Sequence, residues 1–240
     1  MNKTLSPFHF FYCTLIALLI SVENAKCSPY PVPNTNPPWY EPSPKSPPVL
    51  KVPKGSVNLA ANKPVTSSDN DPINGKLEQI TDGKKSGEME SYVEIGPSNK
   101  QYVQIDLVTN STIYAIWIWH YYEWVPDVYV PNDVVVLITS DSTFTNTVST
   151  VFNCDKDNTL GLGKGNDMPF GTSKFGKLIH VDALPARFVR VYGRGERNSP
   201  MSKFVEIEVH GLPVPHEESA NQSAKKSAGE RSWREPHRPQ

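Results

Sequence analysis

The sequence has no sustained helical periodicity, no excess charge of either sign, little cysteine and no second long apolar run after Ile20. Apolar residues do not recur at the i, i+3, i+4, i+7 spacing, which argues against a helical bundle. With 24 basic and 25 acidic side chains and a net charge of −1, the chain lacks the basic footprint of a nucleic-acid binder, so no nucleic-acid partner is expected. The three cysteines are Cys13, Cys27 and Cys154. If Cys13 leaves with a leader, Cys27 and Cys154 are the one available pair. Cys27 lies ahead of a long proline-rich stretch, so a free thiol at Cys154 is expected rather than a bridge. Catalytic signatures are missing too. There is no Gly-x-Ser-x-Gly elbow, no His-Glu-x-x-His helix and no glycine loop ending in Gly-Lys-Ser/Thr. A glycosidase needs two positioned carboxylates, and nothing in the sequence so places Glu206 and Glu208. The chain is expected to bind rather than catalyse.

What is present divides into four parts. Residues 1–25 have the layout of a secretory signal: Lys3, then the apolar run Phe10 to Ile20, then small and polar residues up to Ala25. Eleven residues are too few to span a membrane, which takes about 20. The protein is therefore expected to be secreted or held at the cell surface. Cys27 stands about where a bacterial lipoprotein signal puts its cysteine, but Lys26 occupies a position that signal fills with a small residue, so lipid anchoring there is not the favoured reading. Residues 26–55 carry prolines at 29, 31, 33, 37, 38, 42, 44, 47, 48 and 53. Fixed φ and missing amide donors make such a stretch a disordered, extended spacer. Residues 212–240 are polar, mixed in charge and poor in large apolar side chains, the composition of a disordered tail.

Residues 56–211 read as strands. Tyr102 to Leu107 alternates, with Val103, Ile105 and Leu107 on one face. Ile113 to Trp119 is apolar on both faces, as in a central strand between layers. Val134 to Ile138 and Phe188 to Tyr192 are further runs. In Phe204 to His210, alternation puts Val205, Ile207 and Val209 on one side and Glu206, Glu208 and His210 on the other. Short strands separated by Asn, Asp, Gly and Pro clusters predict an all-β, antiparallel jelly-roll β-sandwich.

Five segments in order carry a resemblance. Asn58 to Ser68 resembles the opening of the discoidin, or coagulation-factor type C, domains of the galactose-binding-like superfamily. Ile80-Thr81-Asp82-Gly83 is similar to that family's early Asp-Gly turn, and Tyr102 to Leu107 to its VQIDL strand. Ala186 to Val191 and Val205 to Gly211 resemble its two closing strands. Val151 to Gly163 and Trp119-His120-Tyr121 resemble a bacterial branch. The resemblance covers nearly the whole predicted folded part. It implies a jelly roll with a ligand site on loops at one end, a structural calcium ion in many members, and sugars, phospholipid head groups or proteins as partners.

That resemblance directs the choice of site residues. Calcium takes six to eight oxygen ligands, and carry-over assigns Asp82 and Glu206, with backbone carbonyls near Gln79, Lys84 and Val205. Lys84 departs from the Asn or Asp common there. The competing reading is a plain Asp-Gly turn and a solvated glutamate. Asp155, Asp157 and Asn158, followed by Gly161, Gly163 and Gly165, are read as turn caps rather than a second metal site. Loops carry function, and sugar sites combine apolar surface with a few fixed polar groups. His120, Tyr122 and Trp124, after a buried strand, and Arg194 and Arg197, in the loop after Tyr192, are the ligand candidates. Arg187 and Arg190 are read as structural, with cross-strand pairing to Glu206 and Glu208. Fucose-binding members of the family that the chain resembles use a His and two Arg in this neighbourhood; Tyr121 to Asn132 has no arginine, so the resemblance does not support fucose. A carbohydrate-binding module displayed on a proline-rich stalk is the leading expectation; an adhesion domain contacting protein or phospholipid is the alternative.

Overall fold

The structure is a computed structural model that describes residues 40–86, 91–122 and 129–214. The predicted signal, Cys27, Trp124 and the residues beyond 214 lie outside the described residues. Among the described residues eight strands run β1 (Val57–Asn58), β2 (Val65–Ser67), β3 (Val93–Ile95), β4 (Gln101–His120), β5 (Val135–Thr139), β6 (Ser149–Asn153), β7 (Lys177–Gly193) and β8 (Ser202–Pro213). A short 3-10 turn, Leu77–Thr81, separates β2 from β3. Every pairing between these strands is antiparallel, in the order β1-β8-β4-β7-β5-β6, with β2 added to β4 and β3 to β8.

Two predicted strands, Tyr102 to Leu107 and Ile113 to Trp119, are halves of β4. The first half pairs with β2 and the end of β7; the second pairs with β8 and the start of β7. An irregularity between Asp106 and Ser111 marks the bend. Val103 and Ile105 from one half and Ile116 and Ile118 from the other meet in one core with Val136, Val189, Ile207 and Val209. The two halves therefore face each other across that core: the fold is an antiparallel β-sandwich. Asp106 fastens the bend by accepting two bonds from Arg187, at 2.7 and 2.8 Å, and one from the Val108 amide at 2.8 Å.

Three expectations need correction. Val205 does not join Ile207 and Val209. Trp119 pairs with Glu206 and His120 with Phe204, so Val205 is bulged and packs with Trp119 and Tyr121 instead, while Phe204 enters the main core. Arg187 and Arg190 do not pair with Glu206 and Glu208, because β4 lies between β7 and β8. Arg190 instead bonds Gln104 and the Tyr192 hydroxyl, with its guanidinium over the Phe144 and Tyr102 rings. The proline-rich stretch is also not spacer throughout. Tyr40 is 6% exposed, and Glu41 bridges to Phe170, its amide donating to the Pro169 carbonyl at 2.7 Å and its carbonyl accepting from the Gly171 amide at 3.0 Å. The packed part of the chain thus begins well before Ser56.

Candidate functional site

Gln101 starts β4 and His120 ends it, and the bend brings both to the same end of the sandwich. Gln101 is fully buried there; its amide donates to the Pro200 carbonyl at 2.6 Å and accepts from the Ser202 amide at 2.8 Å. Those bonds seat the 194–200 loop between β7 and β8. The loop is fastened on its other side as well. The Arg194 amide donates to the Asn132 carbonyl at 3.0 Å, the Asn132 amide to Gly195 at 2.9 Å, and the Arg197 amide to Val130 at 2.9 Å. Gly195 holds φ +76 with its would-be Cβ against the Ser199 and Pro200 backbone, so glycine is required at that turn.

Between this loop, Asn132 and the Pro97–Asn99 turn lies a cleft of about 440 Å³. Arg194 and Arg197, two of the predicted ligand residues, are brought together on its wall. Arg194 also pairs with Asp133, Nε to Oδ2 at 2.6 Å. Beneath them Glu196 is 2% exposed, and among the described residues the Lys203 ammonium stands 3.5 Å from its carboxylate. Burial pushes the Glu196 carboxyl up to about 7, against the pull of Lys203. Lys203 is in turn surrounded by the rings of Tyr92, Tyr121 and Tyr129, at 5.9, 5.6 and 5.2 Å.

His120 and Tyr122 do not line this cleft. His120 is 4% exposed and packs against Phe170 and Phe204; burial lowers its imidazole to about 3, so it is a neutral core ring with no face for a ligand. This corrects its reading as a ligand residue: the strand end that the sequence suggests is open is closed over by Phe170. Tyr122 is half-buried, with its hydroxyl 3.4 Å from the Lys85 carbonyl. Trp124 lies outside the described residues. Sequence reasoning missed Asn99, Asn132, Glu196 and Lys203. Asn132 and Asn99 follow prolines in turn-like segments, and that was the one available signal; Lys203 has none.

The Glu206 side chain reaches the Asp82-Gly83 turn. The Gly83 amide donates to Glu206 Oε2 at 3.1 Å, while Oε1 is buried without a partner. Glu206 is not a solvated glutamate, since it is fully buried. Burial, the one hydrogen bond notwithstanding, and the nearby Glu208 and Asp82 charges push its carboxyl up to about 8. The Lys84 side chain bonds Asp82 at 3.0 Å, and Lys85 bonds Glu208 at 2.5 Å. Glu206 Oε1 thus stays buried beside the acidic side chains of Asp82 and Glu208, each of which is engaged by a lysine.

Cys154 is a free, buried thiol, pushed up to about 12 by burial. The Asp155 turn behaves as capping chemistry: its carboxylate accepts from the Thr159 and Leu160 amides at 2.9 and 2.8 Å, and Asn158 Oδ1 accepts from the Gly163 amide at 2.7 Å. Oxygens of Asp133, Asp155 and Asp157 lie within 4.8 Å of one another, but the bonds to Asp155 explain its position without an ion.

No protein-family model matches the chain, and no curated protein does. Among solved structures it is similar to chitosan-binding module 1 of a chitosanase/glucanase from Paenibacillus sp. IK-5, at 18% identity and a TM-score of 0.46 over 65% of this chain and 99% of that one. It is also similar to the CBM32 of AlyQ in complex with 4,5-unsaturated mannuronic acid, at 19% identity and 0.43 over 61% and 92%. A family 89 glycoside hydrolase from Clostridium perfringens in complex with PUGNAc gives 18% and 0.47 over 67% of this chain and 16% of that one. At such identities and scores, the functional reading has to come from this chain's own residues.

Proposed function

We propose that the domain is a non-catalytic extracellular binding module, secreted or held at the cell surface, that takes carbohydrate in the cleft at the loop end of the sandwich. The observation that carries this reading is the grouping of Arg194, Arg197, Asn99, Asn132 and Ser98 around one cleft. Two guanidinium forks and two carboxamides offer donors and acceptors at fixed angles, which suits a ligand with several hydroxyls. The resemblance to discoidin domains, whose ligand site is on loops at one end, supports the same placement. Among the described residues no ring lines this cleft, and hydrogen bonding is the contact that they offer a ligand. Asp82 and Glu206, with the carbonyls around them, would hold a structural calcium ion, which would bring compensating charge to the buried Glu206 carboxylate.

The test is a glycan array probed with the full chain, with and without calcium, beside Arg197→Ala. Binding to a defined glycan set that Arg197→Ala loses is expected; no binding to any glycan sinks the reading. The alternative, an adhesion domain contacting protein or phospholipid, draws on Ile73, which is 55% exposed and adjoins Gly96 next to the Pro97–Asn99 turn. Vesicle binding abolished by Ile73→Ser, with a blank array, would favour it.

A further inference from the structure

The cleft's two arginines sit on a loop whose middle residue points inward. We propose that Glu196 is the positioning residue of this cleft: ionised, it holds the 194–200 loop against Lys203 with Arg194 and Arg197 presented to ligand, and protonated, it releases that hold. This deepens the carbohydrate-binding reading and rests on it for its consequence, though not for its test.

Backbone and side chain of Glu196 work together. Its amide donates to the Ser199 carbonyl at 2.8 Å and its carbonyl accepts from the Ser199 amide at 3.1 Å, closing the turn, and it is bridged to Pro131. Any movement of the side chain therefore moves the turn that separates the two arginines. Among the described residues, the charged groups that face it come from β8, β3 and its own loop. Lys203 on β8 stands 3.5 Å away and also lies 3.9 Å from Glu94, next to β3's Val93 and Ile95. Arg194 and Arg197 flank it on its own loop, Arg194 being engaged by Asp133. When Glu196 is ionised, Lys203 is compensated by two carboxylates and the loop is drawn to β8. When it is protonated, Glu94 remains the carboxylate beside Lys203 and the loop loses its attraction to the strand. A buried carboxylate partnered by one ammonium at 3.5 Å is costly as an ion, so the balance between the two forms lies close to neutral pH, with the Glu196 carboxyl at about 7.

The experiment follows the Glu196 carboxyl carbon and the amides of Gly195, Arg197 and Ser199 by NMR in the full chain as pH is varied. A shared titration step with its midpoint near 7 is expected. It should vanish in Glu196→Gln and move upward in Lys203→Met, both with otherwise native spectra. A carboxyl titrating in the ordinary glutamate range, or loop amides that ignore it, would overturn the proposal. A second arm measures retention on chitosan and alginate resins below and above the midpoint. Severalfold stronger retention above it, flattened in Glu196→Gln, is expected; equal retention on both sides by the native chain overturns the link to binding. Retention by neither resin at either pH counts against these glycans as ligands, and the loop titration still decides the role of Glu196.

Discussion

The Gly83 amide donates to Glu206 Oε2 at 3.1 Å, joining two segments 123 positions apart. That bond satisfies one oxygen and leaves Oε1 buried and empty. The fold therefore favours the neutral acid, and the Glu206 carboxyl rises to about 8 from an ordinary 4.5. A raised acid contributes stability that is fully present below its unfolded pKa and is lost as pH rises through the folded one. In chelator, the melting temperature is expected to fall as pH rises between about 5 and 8, and less steeply in Glu206→Gln. Calcium should reverse the trend, raising the melting temperature most at the alkaline end, and should do nothing for Glu206→Gln. A native melting temperature unmoved by calcium at pH 8 would remove the metal from the site.

Where the sequence was readable and where it was not follows from the range of each interaction. The period-2 runs of β4, β7 and β8 are local signals, and they located the strands. Bulges are not local. One extra residue opposite Trp119 and His120 turns Val205 to the other face, which alternation within β8 cannot show. The approach of Glu206 to the Asp82-Gly83 turn is legible only through resemblance, since no spacing rule joins residues so far apart. His120 looked like a site residue because it follows an apolar strand; Phe170, fifty positions later, closes over it. Glu196 and Lys203 come from different segments, and only the fold makes a buried ion pair of what sequence shows as an ordinary surface combination.

At the bend of β4, Val108 adopts φ +72 while 49% exposed. A β-branched side chain in the left-handed region is strained by about 1–2 kcal/mol, and little apolar contact offsets it at such exposure. The Asp106 carboxylate holds the conformation by accepting the Val108 amide at 2.8 Å. Val108→Gly removes the strain but adds unfolded-state entropy of roughly 0.5–1 kcal/mol. A net gain of about 0.5–1 kcal/mol is expected from denaturant unfolding. Destabilisation would show that the valine makes contacts worth more than its strain.

Tyr40 and Glu41 decide where the domain begins. Tyr40 is buried, and Glu41 is held by Pro169, by Gly171 and by an ion pair with Lys177. Lys177 also lies over the Phe152 and Phe170 rings, at 5.6 and 5.5 Å, so the pair is anchored to core aromatics rather than loose on the surface. Burying one large side chain stabilises by about 1.5–3 kcal/mol, and two backbone bonds add about 1 kcal/mol each before the entropy of ordering the strand is subtracted. A chain starting at Ser56 is expected to fold but to lose about 2 kcal/mol against one starting at Tyr40. It should also show faster hydrogen exchange at Gly171, whose amide donates to the Glu41 carbonyl. Tyr40→Ala in the longer chain should reproduce most of the stability loss while leaving the Gly171 amide partly protected. Equal stability of the two chains would mean that the proline-rich segment rests on the sandwich without contributing to it.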